Sequence, residues 1–166
     1  MNAQDIQRYL QMLATELQQR GVTGEIVLVG GAVMLLVIGN RPTTKDIDAY
    51  FASGSQEIRA AAQVIALREH LPPGWLNDGV KGFFYTQPPT TLWLDYPGLR
   101  VYTAAPEYVL ALKAIAGRPA DIADIQALAD HLGLAQAQDV LAVVSRYVPP
   151  SQIPPKTQYL IQSLFP

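Results

Sequence analysis

The sequence predicts an α+β fold, a small mixed β-sheet flanked by helices and followed by a helical C-terminal half. Three observations carry this. Apolar residues recur at helical spacing over residues 3–20. Short apolar and alternating runs bounded by glycine and proline occupy much of residues 25–103. From Pro106 onward the pattern is helical alone. Strands interspersed with helices, then helices by themselves, is the order expected when sheet and helices are segregated along the chain.

Over 3–20, Ile6, Tyr9, Leu10, Leu13 and Leu17 share one helical face, with Asn2 placed to cap and Gly21 to stop the helix. Ile26-Val27-Leu28-Val29 predicts a strand at 25–29, and a helix is expected over 32–38, closed by Gly39-Asn40 as a left-handed cap. A second strand carries Asp46 and Asp48. From Ser55 a further helix presents Ile58, Ala61, Ala62, Ile65 and Leu67 to the core until Pro72-Pro73 ends it. Residues 75–84 carry no decisive pattern. Residues 91–95 and 99–103 alternate around Pro97-Gly98, the mark of a hairpin. Pro106 and Pro119 each suit a first helical turn, giving helices at 106–116, 119–131 and 135–147. The proline-rich 149–155 reads as a stiff extended connector. An apolar tail follows, with Tyr159, Leu160, Leu164 and Phe165, and must cover a surface of this chain or of a second copy in a homodimer.

A chain of 166 residues fits one compact unit, divided into an α/β core at 1–105 and a helical region at 106–166 packed on it. A net charge of −2 and a pI near 5.6 exclude a broad electrostatic grip on nucleic acid, so any RNA contact is local. With no cysteine there are no disulfides and no thiolate metal sites. His70 and His131 stand on separate segments, each toward a helix C-terminus, with no triad or zinc spacing. The apolar run 32–38 is far too short to span a bilayer, and Asn2, Gln4 and Asp5 stand where a signal peptide would begin its apolar region. A cytoplasmic location without a membrane partner is expected.

The chemistry concentrates at Gly30-Gly31 and at Asp46-Ile47-Asp48. Residues two apart on a strand project from one face with Cα atoms roughly 6.5–7 Å apart, so both carboxylates can reach one hard cation or a pair. Glycines between a strand and a helix start expose backbone N–H groups that suit a phosphate. Anion binding and cation binding thus stand side by side, as metal-dependent phosphoryl transfer requires. Magnesium suits such a site, because it takes a few carboxylates and completes its shell with substrate phosphates and water. The bland alternatives are a solvated carboxylate pair and an ordinary tight turn. Arg41, Thr43 and Thr44, in the loop entering the second strand, are candidates to hold a triphosphate; Lys45 reads equally well as a solvated loop residue. Lys113 is a lone cation in an apolar helix, and Asp121 and Asp124 lie in the first turn of the next, where the dipole favours carboxylates in any case.

The double glycine, the apolar helix and Asp46-Ile47-Asp48 resemble the signature of the nucleotidyltransferase superfamily that includes DNA polymerase β, and its small abortive-infection toxin branch in particular. Residues 101–107 leading into Leu112-Lys113, then Arg118, Asp121 and Asp124, are similar to the second half of those proteins, so the likeness spans roughly 25–130. It implies a two-metal Mg²⁺ site at Asp46 and Asp48, an NTP substrate and transfer of NMP to an acceptor hydroxyl on an RNA end or a protein. It also implies a toxin–antitoxin or phage-defence role with a cognate partner protein. Lys113 would approach the β- or γ-phosphate, with Asp121 or Asp124 near the acceptor or holding Lys113 or Arg118. Members usually add a third carboxylate from a neighbouring strand, for which Asp95 is the first candidate and Asp78 the second. Two further readings stand beside this one: transfer to a small cationic acceptor resembling an aminoglycoside, and a catalytically inactive binding module of a two-protein system.

Overall fold

The structure is a computed structural model that describes residues 1–166, the side chain of Phe83 excepted. The chain divides into two compact units, Met1–Gly82 with Thr90–Ala104, and Phe83–Pro89 with Ala105–Pro166.

In the first unit, helix α1 (Ala3–Gln19) begins at a reciprocal cap. Asn2 Oδ1 accepts the Asp5 N–H at 2.9 Å and Asp5 Oδ2 accepts the Asn2 N–H at 3.0 Å, so two otherwise orphaned donors are satisfied together. Its buried face is the expected one, Ile6, Tyr9, Leu10, Leu13 and Leu17, with Ala14 added. Strand β1 (Gly24–Leu28) is central in a five-stranded mixed sheet. It pairs antiparallel with β2 (Ile47–Ser53) on one side and parallel with β5 (Leu99–Ala104) on the other. The two-residue β3 (Leu76–Asn77) and the longer β4 (Thr90–Tyr96) form the edges. Gly98 makes the β4–β5 turn at φ +94°, and a Cβ there would stand 2.5 Å from the Ala14 carbonyl oxygen of α1. Only glycine lets this hairpin close against that helix.

Two helices of this unit depart from expectation. Helix α2 (Gly30–Val33) starts at the first glycine of the pair rather than at residue 32, and continues as a π-helical turn, Met34–Ile38. It ends as anticipated at Gly39, φ +74°, whose N–H donates to the Met34 carbonyl at 2.8 Å. Helix α3 (Ser55–Glu69) buries Ile58, Ala61, Ala62, Ile65 and Ala66 but leaves Leu67 81% exposed, because Ala66 and not Leu67 completes the apolar stripe. The undecided stretch after Pro73 supplies β3 and the fully buried Trp75, whose indole N–H donates to the Ala62 carbonyl at 3.0 Å and whose ring meets Tyr9 edge-on.

The second unit contains α4 (Pro106–Ala116), a 3₁₀ turn (Pro119–Asp121), α5 (Ile122–His131), α6 (Ala137–Tyr147) and α7 (Pro155–Leu164). The proline-rich connector is not fully extended, since Pro150–Gln152 forms another 3₁₀ turn. The apolar tail is helix α7, which packs on α4 and α6 and buries Ile161, with Phe165 beyond it. It covers its own unit. Residues 83–89 are held there by Tyr108, whose hydroxyl donates to the Thr86 carbonyl at 2.7 Å and whose ring stands between Phe84 and Tyr147. Among the described residues, no helix is long and apolar enough to cross a membrane.

Candidate nucleotide and metal site

Strand β2 alternates as a half-buried strand must: Ile47 and Ala49 are wholly buried, while Asp48 and Tyr50 lie half-buried on the opposite face. Asp46 stands one residue before the strand begins. The chain enters β2 with its peptide anchored on both sides. The Asp46 carbonyl accepts the Thr44 hydroxyl at 3.0 Å, and the Ile47 N–H donates to the Trp75 carbonyl at 2.8 Å.

The glycine pair rests directly on this strand and its loop. The Val29 N–H donates to the Asp48 carbonyl at 3.0 Å, which brings Gly30 over the Asp48 side chain. A Cβ on Gly30, itself at φ +57°, would lie 3.0 Å from Asp48 Oδ2. One on Gly31 would lie 2.5 Å from Thr44 Oγ1 and 3.5 Å from a guanidinium nitrogen of Arg41. Gly30, Gly31, Arg41, Thr44 and Asp48 are thereby brought together, with Asp46 joined through Thr44. Thr43 and Lys45 are exposed on the same loop.

The structure sets Asp95 apart from this pair and engages Asp78 with cations. Asp95 lies on β4, level with Arg100, and Arg100 is level with Glu25 at the start of β1. Asp48 lies on β2 near the other end of β1, where Ala49 pairs with Leu28. Three strand spacings, roughly 14 Å, separate β2 from β4 before that lengthwise offset is added. Asp95 instead lies 3.8 Å from Arg100, which binds Glu25 at 2.8 Å. The expectation for Asp95 as a third carboxylate is corrected on that geometry. Asp78 follows β3, but Asn77 is the residue level with Asp48, and Asp78 is paired with Arg59 and lies 3.5 Å from Lys81. Among the described residues, no group of three or more His, Cys, Asp or Glu is arranged to hold a metal.

Two carboxylates two residues apart, with neither imidazole nor thiolate, form an all-oxygen donor set. That set fits Mg²⁺, which commonly binds through one or two carboxylates plus substrate phosphates and water. Sequence reasoning missed the anchoring by Trp75 and the level position of Asn77, because both depend on β3 pairing with β2, and a two-residue strand leaves no periodic trace.

Lys113, Asp121 and Asp124 belong to the second unit, where they form a buried cluster. Lys113 Nζ lies 2.8 Å from Asp121 and 2.8 Å from Asp124, and Arg118 adds a bond to Asp121 at 2.7 Å. Lys113, Asp121 and Asp124 are 7%, 3% and 2% exposed. Burial pushes the Asp121 carboxyl up, but hydrogen bonds from Arg118 and Lys113, with their charges, outweigh it and hold the group below its ordinary range. Lys113 thus faces both carboxylates, and Arg118 faces Asp121.

An α+β unit in which a Gly-Gly turn sits against Asp48 of β2, with Asp46 just ahead of that strand, suits a small nucleotidyltransferase. The chain belongs to the family described as nucleotidyltransferase of unknown function (DUF6036), whose sequence model matches residues 8–142. No curated protein and no solved structure matches it.

Proposed function

We propose that the chain is a Mg²⁺-dependent nucleotidyltransferase that moves NMP from an NTP to an acceptor hydroxyl on an RNA end or a protein, in a toxin–antitoxin or phage-defence setting. The observation that carries the reading is the seating of Gly30 on Asp48. It supports the reading by setting the turn proposed for phosphate against the carboxylate proposed for the cation, since a Cβ on Gly30 would lie 3.0 Å from Asp48 Oδ2.

In this reading Asp46 and Asp48 hold the cation, and Gly30 and Gly31 leave the backbone open to the triphosphate. Arg41 adds positive charge over the glycines. Bound Mg²⁺ supplies charge stabilisation at the attacking and leaving oxygens. The acceptor, the antitoxin-like partner and the toxin setting rest on family resemblance.

The test is incubation with each α-labelled NTP, Mg²⁺ and candidate acceptor RNA or protein, comparing wild type with Asp46→Asn/Asp48→Asn. Labelled product from wild type alone is expected. Equal labelling by a folded double variant would sink the proposal.

One observation favours a second reading, a nucleotide-binding module without transfer that works with a partner protein. Asp95 lies three strands from the pair, and Asp78 is engaged by Arg59 and Lys81. Under that reading nucleotide binds and no NTP labels any acceptor.

A further inference from the structure

We infer that Thr44 is a positioning residue for the metal ligand Asp46 rather than a phosphate ligand, and that Gly31 is glycine to make room for it. The inference rests on the proposed metal site. It deepens that reading by assigning what holds its first carboxylate.

Thr44 is buried, and each of its polar groups is engaged inside the protein. Its N–H donates to the Met1 carbonyl at 2.9 Å, its own carbonyl accepts from the Met1 nitrogen at 2.7 Å, and its hydroxyl donates to the Asp46 carbonyl at 3.0 Å. A hydroxyl has one proton to donate, and here it is committed to a backbone carbonyl.

The peptide linking Asp46 to Ile47 is consequently clamped from both sides, by Thr44 at its carbonyl and by the Trp75 carbonyl at its N–H. Trp75 is itself fixed by its indole bond to Ala62. Among the described residues, no side-chain hydrogen bond or ion pair is made by the Asp46 carboxylate, so the contacts that hold this residue are those of its backbone. Gly31 completes the device. A Cβ there would stand 2.5 Å from Thr44 Oγ1, so any larger residue would displace the hydroxyl. Outer-sphere partners of this kind typically change metal affinity about 10- to 100-fold when removed.

The experiment is Mn²⁺ binding to the intact chain, followed by electron paramagnetic resonance and calorimetry, for wild type, Thr44→Val, Thr44→Ser, Gly31→Ala and Asp46→Asn. Thr44→Val is expected to weaken Mn²⁺ binding at least about 10-fold. Thr44→Ser, which keeps the hydroxyl, should restore most of it. Gly31→Ala retains every polar atom of Thr44 and should weaken binding in the same direction, which covers the case of a Thr44→Val protein that does not fold. Wild-type affinity in folded Thr44→Val, or in folded Gly31→Ala, overturns the positioning role while Asp46→Asn still reports the metal site. Absence of Mn²⁺ binding in wild type, or binding unchanged by Asp46→Asn, overturns the metal reading and this inference with it.

Discussion

Asp48 Oδ2 lies 3.0 Å from the place a Cβ on Gly30 would occupy, and Gly30 holds a left-handed backbone at φ +57°. Two independent constraints therefore disfavour a side chain at this position. Gly30→Ala should cost about 1–2 kcal/mol from backbone conformation alone. The methyl would also press on the carboxylate, so nucleotide-dependent activity should fall further than stability does. Urea unfolding beside an α-labelled NTP assay separates the two effects; a Gly30→Ala protein with native stability and activity would contradict both constraints.

Nucleotide and cation should stabilise the protein together. A ligand at about a hundred times its dissociation constant adds roughly 2.7 kcal/mol. Thermal unfolding with each NTP should show an upward shift that requires Mg²⁺ and disappears in Asp46→Asn/Asp48→Asn. A shift that persists in the double variant would place the nucleotide elsewhere.

The Lys113 cluster predicts a large stability effect with a defined pH signature. Lys113→Met leaves two buried carboxylates without their shared cation and should destabilise by about 3–5 kcal/mol, read as a lower urea midpoint. Asp121 ionises below its ordinary value of 3.8 when folded. A depressed folded pKa gives stability that is present above the unfolded value and is lost as pH falls through the folded one. Wild-type urea midpoints should therefore drop below about pH 4, and the drop should be shallower in Asp121→Asn, whose midpoint at pH 7 is already lower.

Tyr108 offers a spectroscopic handle on residues 83–89. Burial raises its phenol from 10.0 to about 12. A raised folded pKa contributes stability that is complete below pH 10 and is lost as pH rises toward the folded value. Among the 8 tyrosines, one should ionise late in an alkaline absorbance titration. Tyr108→Phe should remove that late step and, with the lost bond to Thr86, cost about 1 kcal/mol. An unchanged titration in the variant would assign the late phenol elsewhere.

Features written in local order were legible in the sequence. The capping of α1 by Asn2, the hairpin at Gly98, the left-handed end at Gly39 and the spacing of Asp46 and Asp48 each depend on a few consecutive residues. Leu67 misled because a helical stripe has finite width, and at its margin Ala66 and Leu67 compete for one buried position. Met34–Ile38 misled because α- and π-turns share the same apolar residues and differ only in which carbonyl each N–H meets.

The sequence by itself determined the α+β class, the helical second half, the family and the glycine and aspartate pairs, because periodicity and turn chemistry act over neighbouring residues. Tertiary structure alone decided that Asp95 stands three strands from Asp48, that Asp78 belongs to Arg59, that Lys113 is buried between two aspartates, and that the Ile47 N–H meets the Trp75 carbonyl. Each of those outcomes depends on strand order, register or helix packing. Such pairings join residues far apart in the chain, and their free energy comes from burial and hydrogen bonding that no local pattern records.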